Sequence, residues 1–288
     1  MIPDAVDLAG LVRTARDAGI DRLDAELLIC SVLHIDRARI FARPDHVPTA
    51  EQRRVIIDLL DQRARGIPFA YLVGHQGFRD LDLEVTTDVL IPRPETELLV
   101  DMTLEVLDAG PQRVADLGTG SGAIALALIH ARPDCSLLAV DRSPAALEVA
   151  RRNIRATHLS RQIQTIESDW YADIGSRHLP LDAIVSNPPY VKRKDPDLAQ
   201  DVALHEPELA LISGDDGLDA LRTIISGAPS RLRQGGWLLV EHGFDQSGTV
   251  RELMRTAGLT EIGTQRDLAG HPRATRARKP ADRPSGGS

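Results

Sequence analysis

Three stretches of helix-spaced apolar positions open the chain. Leu8, Leu11, Val12 and Ala15 recur on one helix face, and Gly19 follows as a stop. Leu23, Leu27, Leu28 and Val32 mark a second helix. Thr49 with Gln52 has the pattern of a capping box, and it opens a third helix with Val55, Ile56, Leu59 and Leu60 on one face and Gly66 at its end. Residues 1–75 therefore read as a small helical domain. They hold no titratable cluster, so the domain reads as a packing or recognition unit rather than a catalytic one. The pattern then changes. Leu81, Leu83 and Val85 alternate with Asp80, Asp82 and Glu84, which predicts a strand with one wet face. Gly74 and Gly77 precede it as turn residues, so the link between domains is expected around residues 66–80.

From residue 113 strands and helices alternate. Strands are expected at 113–117, 137–141, 163–167, 181–186 and 236–241. Helices are expected at 122–131, 144–157, 218–232 and 248–257. Strands separated by helices imply an α/β fold, a doubly wound Rossmann-like parallel sheet. This second domain is expected over 76–279, with a hairpin at its start. Residues 280–288 are rich in Pro, Gly and Ser and are expected to form a disordered tail. Ligands in such sheets gather at the carboxyl ends of the strands, so the candidate chemistry is sought there.

Composition narrows the partners. The 288 residues are 42% apolar, enough for a sizeable core, and carry a net charge of -8. An acidic chain lacks the basic footprint of general nucleic-acid binding, although a local basic groove is compatible with it. Cys30 and Cys135 stand far apart with no metal spacing and read as buried free thiols. No basic-then-apolar leader is visible at the N-terminus, and no apolar run approaches the ~18 residues of a membrane span. The expectation is a cytoplasmic protein with no membrane partner and no metal.

The strand at 181–186 ends in Asn187-Pro188-Pro189-Tyr190. Two prolines cannot continue a ladder, because neither has an N–H to donate. The turn holds out an amide side chain, backbone carbonyls and an aromatic ring. Such a set suits a planar NH2 group, with two acceptors for its hydrogens and a ring over its plane. A chance turn with a surface tyrosine is the bland alternative. A second signal is the loop Asp116-Leu117-Gly118-Thr119-Gly120-Ser121-Gly122 between the first sheet strand and its helix. Its glycines allow a tight turn and close approach of a ligand. Gly118, Gly120 and Ala123 fit the loose dinucleotide spacing, and Asp141, at the end of the next strand, suits ribose hydroxyls of NAD or of S-adenosylmethionine. Arg142 beside it would suit a 2′-phosphate. Two features favour S-adenosylmethionine. Asp116 offers a carboxylate for a methionyl ammonium, and Asp169-Trp170 offers a polar edge and an apolar face for adenine. A core aromatic is the bland reading of Trp170.

At this point the chain resembles the release factor glutamine methyltransferases (the HemK type). The resemblance covers nearly the whole chain. It rests on Ile91-Pro92-Arg93-Pro94-Glu95-Thr96-Glu97, the loop from Asp116 to Gly122, Asp169-Trp170 and Ser186-Asn187-Pro188-Pro189-Tyr190. Glu206-Pro207, Gly214-Asp215-Asp216-Gly217-Leu218 and Glu241-His242-Gly243 extend it. Asn-Pro-Pro-Tyr alone also occurs in amino methyltransferases of DNA adenine and RNA guanine, whereas the Ile91–Glu97 stretch is far more specific. The resemblance implies a class I methyltransferase sheet with a small N-terminal helical domain that recognises the substrate. It implies S-adenosylmethionine as cofactor, held by Gly118 to Gly122, Asp141, Trp170 and Asn187. It implies peptide chain release factors as partners, with the glutamine of their Gly-Gly-Gln motif held by Asn187, Pro188, Pro189 and Tyr190. The segment from His271 to Lys279 departs from the family in being unusually basic, which leaves the last strand open.

An amide nitrogen is a poor nucleophile, because its lone pair is delocalised into the carbonyl. Acceptance of its two N–H bonds by the Asn187 side-chain oxygen and the Pro188 carbonyl would orient it, an effect worth up to ~7–11 kcal/mol. The sequence offers no evident general base. Glu95 and Glu97 are accounted for by a helix start, where Pro94 and acidic residues are favoured; closing the methionyl end of a pocket is the other reading. Glu241 reads as a structural strand-end carboxylate, and His205 and His242 as surface or outer groups. The competing function is an amino methyltransferase acting on adenine or guanine NH2, with the base flipped against Tyr190.

Overall fold

The computed structural model describes residues 6–196 and 198–281. Of the tail expected at 280–288, residues 282–288 lie outside the described residues. The chain divides into two compact units. One runs up to His75 and includes 200–205; the other comprises 76–199 and the chain from Glu206 onward.

The first unit is helical: α1 (Leu8–Asp17), α2 (Arg22–Leu33), α3 (Arg37–Ala42), α4 (Ala50–Ala64) and α5 (Phe69–Val73). The starts of α1 to α4 are fixed by side-chain caps local in sequence, whereas α5 follows Pro68 without one. Asp7 accepts from Gly10 N at 2.7 Å, and Asp21 accepts from Leu23 N at 2.7 Å. Thr49 and Gln52 complete the expected capping box, with reciprocal bonds of 3.2 and 2.9 Å. Leu8, Leu11, Ala25, Leu28, Ile29, Ile56 and Leu60 form its core. Val55, expected on the apolar face of α4, is 39% exposed. The buried stripe instead follows Ile56 and Leu60, four apart. The stretch expected to link the domains carries α5 and the first strand.

The second unit begins with a two-stranded sheet, β1 (His75–Phe78) and β2 (Leu81–Glu84). The main sheet contains β3 (Arg113–Leu117), β4 (Ser136–Asp141), β5 (Ile163–Glu167), β6 (Leu181–Ser186), β7 (Leu232–Glu241), β8 (Thr260–Arg266) and β9 (Pro272–Arg278). The order is β5-β4-β3-β6-β7-β9-β8. The first five are parallel, while β9 runs antiparallel to β7 and to β8. Its helices are α6 (Glu97–Val106), α7 (Ala123–Ala131), α8 (Pro144–Ala156), α10 (Glu208–Leu211), α11 (Asp219–Gly227) and α12 (Ser247–Thr256); α9 (Gln200–His205) groups with the first unit.

β3, β4 and β6 read as nearly unbroken apolar runs because both sheet faces are covered there. Val114 enters one core cluster with residues of α6 and α7. Ala115 and Leu117 enter the other, with residues of α11 and α12. This is a doubly wound, Rossmann-like α/β architecture. Several elements differ from expectation: the helix expected over 218–232 ends as α11 at Gly227, and β8 lies on a stretch where no strand was expected. A register shift between the Leu181 and Ala183 pairings lets β7 begin at Leu232 rather than 236. The basic segment 271–279 forms β9, whose arginines alternate with the buried Ala274 and Ala277. Cys30 and Cys135 are buried free thiols. Among the described residues, no helix is long and apolar enough to cross a membrane.

Candidate active site

Chain order reverses between β3 and β6. They are paired neighbours, and Leu117 lies opposite Ser186. The loop beginning at Gly118 and the turn beginning at Asn187 therefore leave the sheet side by side, at the position where such sheets bind ligands. The Ser186 hydroxyl donates to the Leu117 carbonyl at 2.6 Å and ties the two strand ends together. A cavity of about 540 Å³ opens here.

The glycine loop forms its floor. Gly118, Thr119, Gly120 and Ser121 line the cavity, while Gly122 sits behind them as the N-cap of α7. Gly118 has φ +71°, and a Cβ there would meet the Trp170 ring at 3.6 Å and the Asn187 carbonyl oxygen at 4.0 Å. Only glycine combines that backbone with an open floor. Asp116 is fully buried just before the loop. Its Oδ2 accepts from Thr119 Oγ1 at 2.6 Å, and its Oδ1 has no hydrogen-bond partner. Burial pushes this carboxyl up to about 7 against the lowering bond from Thr119, and the charge of Asp141 raises it further.

Asp141 lines the cavity from the end of β4. Its two oxygens accept from Gly120 N and Ser143 N, both at 2.9 Å, which fixes the carboxylate. Burial raises its pKa, and these bonds oppose the rise. Arg142 is exposed at the cavity edge. Beyond β5, Asp169 is exposed and Trp170 half-buried; both line the cavity. Trp170 has φ +52°, an unusual conformation for a bulky residue. Ser168 holds that turn, donating to the Trp170 carbonyl at 3.2 Å and accepting from Asp173 N at 2.9 Å.

At the Asn-Pro-Pro-Tyr turn, Asn187 and Pro189 line the cavity; Pro188 is buried and Tyr190 does not line it. Asn187 Nδ2 donates to Thr96 Oγ1 at 3.0 Å, which leaves its side-chain oxygen as an acceptor. Thr96 Oγ1 donates to Glu241 Oε2 at 2.8 Å, and Tyr190 OH reaches Glu241 Oε1 at 3.2 Å. Tyr190 packs on the second core cluster, and burial pushes its phenol above the usual range. Gln246 clamps the turn from below, donating to the Tyr190 carbonyl at 3.0 Å.

Several of these residues escaped the sequence reading. Thr96 stands between the two glutamates that drew attention, and it alone of the three lines the cavity. Glu95 is exposed, and Glu97 accepts from Arg79 N at 2.9 Å, so it fastens the β1–β2 turn. Arg93 is paired with buried Glu206, which also accepts from Ile91 N at 3.2 Å. His242 is fully buried, not a surface group; its Nε2 is 2.8 Å from Thr275 Oγ1. Local patterning could not flag the link from Thr96 and Tyr190 to Glu241, since those contacts span 145 and 51 positions of sequence.

The family model described as "Methyltransferase small domain" matches residues 95–206, and "PrmC N-terminal domain" matches residues 10–74. The release factor glutamine methyltransferase of Xylella fastidiosa (strain 9a5c) is 50% identical over 269 residues, covering 93% of this chain and 96% of its own length. The chain belongs to the release factor glutamine methyltransferase family. The member from Burkholderia pseudomallei (strain K96243) is 43% identical over 271 residues, covering 92% of this chain and 94% of its own. Among solved structures, the hMettl16 catalytic domain in complex with MAT2A 3′UTR hairpin 6 shares the fold at 15% identity and a TM-score of 0.58, covering 80% of this chain and 84% of its own. As a family member the chain is a methyltransferase, and family and fold imply S-adenosylmethionine as its methyl donor.

Proposed function

We propose that this chain methylates the side-chain amide nitrogen of the Gly-Gly-Gln glutamine in peptide chain release factors, using the cavity at β3 and β6. The observation that carries this reading is Asn187. Its NH2 group is committed to Thr96, so it offers the cavity an oxygen, and an incoming NH2 group needs an acceptor. Asn187 Oδ1 and the Pro188 carbonyl then take the two N–H bonds of the glutamine amide. Acceptors held by a proline turn orient the nitrogen without further loss of freedom, and they favour the charge it gains as the new bond forms.

The residues fit the donor. Asp116 Oδ1 is buried and without a partner, which suits an ammonium group. Asp141 stands where ribose hydroxyls need an acceptor, and Trp170 with Asp169 offers a face and a polar edge for adenine. Gly118 to Gly122 leave room for close approach, and Arg142 borders the entrance. S-adenosylmethionine, when bound, supplies an electrophilic methyl group on a sulfonium. The helical domain over 1–75 recognises the release factor, and residues 76–279 carry the transfer. The acidic net charge supports a protein substrate rather than general nucleic-acid binding.

Asn187→Ala tests the reading. Single-turnover methyl transfer to release factor is expected to be lost, with a smaller change in cofactor affinity, because the side chain acts in the chemical step. An unchanged transfer rate removes Asn187 from the mechanism.

A further inference from the structure

A primary amide presents an oxygen and an NH2 group of similar size, and a half-turn exchanges them. The proposed role of Asn187 works in one orientation only. In the other, NH2 meets NH2 and both groups lose a partner. Something must therefore fix the polarity of this side chain.

The hydrogen-bond chain behind it does so. Thr96 has a single hydroxyl proton, and Glu241 Oε2 takes it at 2.8 Å. Towards Asn187 the hydroxyl then has only lone pairs to offer, so the NH2 end must face it, at 3.0 Å. The other oxygen of Glu241 accepts from Tyr190 OH, so both are engaged. Thr96 and Glu241 are 4% and 1% exposed, so water does not compete for these bonds. Glu241 does not line the cavity. We propose that Thr96 and Glu241 are positioning residues for methyl transfer, which orient the Asn187 amide so that its oxygen faces the acceptor nitrogen. The proposal rests on the reading of Asn187 given above.

The chain is polarised by the charge of Glu241. Burial pushes this carboxyl up to about 7; the Thr96 bond, the Arg273 guanidinium from β9 and the Tyr190 bond oppose the rise, and Glu95 adds to it. A protonated Glu241 can donate to Thr96, which can then donate to Asn187, and the amide is free to turn. Methyl transfer at saturating cofactor therefore rises with pH through about 7.

The test compares wild type, Thr96→Val, Thr96→Ser and Glu241→Gln in single-turnover transfer to release factor, with cofactor affinity measured by calorimetry. Thr96→Val keeps the shape and removes the hydroxyl; a rate loss of about 100-fold is expected, the scale of one lost preorganised bond. Cofactor affinity stays within a small factor, and Thr96→Ser recovers most of the rate. Glu241→Gln is slow and its rate does not change with pH between 6 and 8.5 in the way wild type does. A fast Thr96→Val enzyme, a serine variant no better than valine, or a wild-type pH profile in Glu241→Gln overturns the proposal. Should Thr96→Val fail to bind cofactor, the serine rescue and the Glu241→Gln profile decide. Wild type that leaves glutamine unmethylated overturns the underlying reading, and this inference with it; wild type that methylates beside a fast Thr96→Val enzyme overturns the inference alone.

Discussion

Asp116 shows how a single residue can be suited to a ligand and costly to the fold. Its carboxyl is fully buried, has one unpartnered oxygen and titrates near 7. An unfolded Asp titrates near 3.9. The folded value is raised, so its stabilising contribution is complete below about 4 and is lost as pH rises through about 7. Above pH 7 the ligand-free protein holds a buried, poorly compensated charge. Asp116→Asn removes that cost. The variant is expected to melt higher than wild type at pH 8, with the gain shrinking towards pH 4. Cofactor binding should move the other way, weakening by about 1.5–3 kcal/mol, the size of a lost bond to a charged group. Melting curves at both pH values with calorimetric titration check the pair of effects; a variant less stable than wild type at pH 8 contradicts the account. Wild-type affinity should likewise fall as pH drops below about 7, where Asp116 takes up a proton.

Among elements, the turn after β6 depends on segments far away in sequence. Gly217 has φ +77°, and a Cβ there would collide with the Tyr190 carbonyl oxygen; the nearby Gln246 amide accepts no more crowding. Gly217→Ala is expected to destabilise the protein by about 1–3 kcal/mol, from left-handed strain and the displaced turn. Methyl transfer should fall more than cofactor affinity. Urea unfolding with parallel kinetics measures both, and wild-type values in each would show that the turn does not lean on this loop. This dependence also explains what the sequence revealed. β3 and β6 were legible to the residue because runs buried on two faces end sharply at Gly118 and at Asn187-Pro188, while the half-exposed β5 was legible from its short β-branched alternation before Ser168. The capping box gave the start of α4. The glycine loop, Asp141, Trp170 and Asn187 were legible because each follows a readable strand. Thr96, Gln246 and the link from Glu241 were not, because their partners are set by tertiary contacts 51 to 145 residues away. β8 was not expected and the last strand, β9, was left open, because arginines and threonines at this antiparallel end of the sheet mask the apolar alternation.

The chain divides into two compact units. Every cavity-lining residue belongs to the second, and the first has its own core and its own capped helices. A chain beginning at Gln76 is therefore expected to bind S-adenosylmethionine with near-native affinity while methylating release factor poorly. Full transfer by the shortened chain would give the helical domain another task. The planar NH2 groups of glutamine, adenine and guanine all suit the turn at Asn187, so the choice among them is tested directly by offering them together. The full-length protein and labelled S-adenosylmethionine are incubated with intact release factor, its Gln→Ala variant in the Gly-Gly-Gln motif, DNA and ribosomal RNA, and each product is mapped by mass spectrometry. One added methyl is expected on the glutamine amide of the intact factor and none elsewhere. Methyl groups on nucleic acid, or undiminished incorporation into the variant protein, would contradict it.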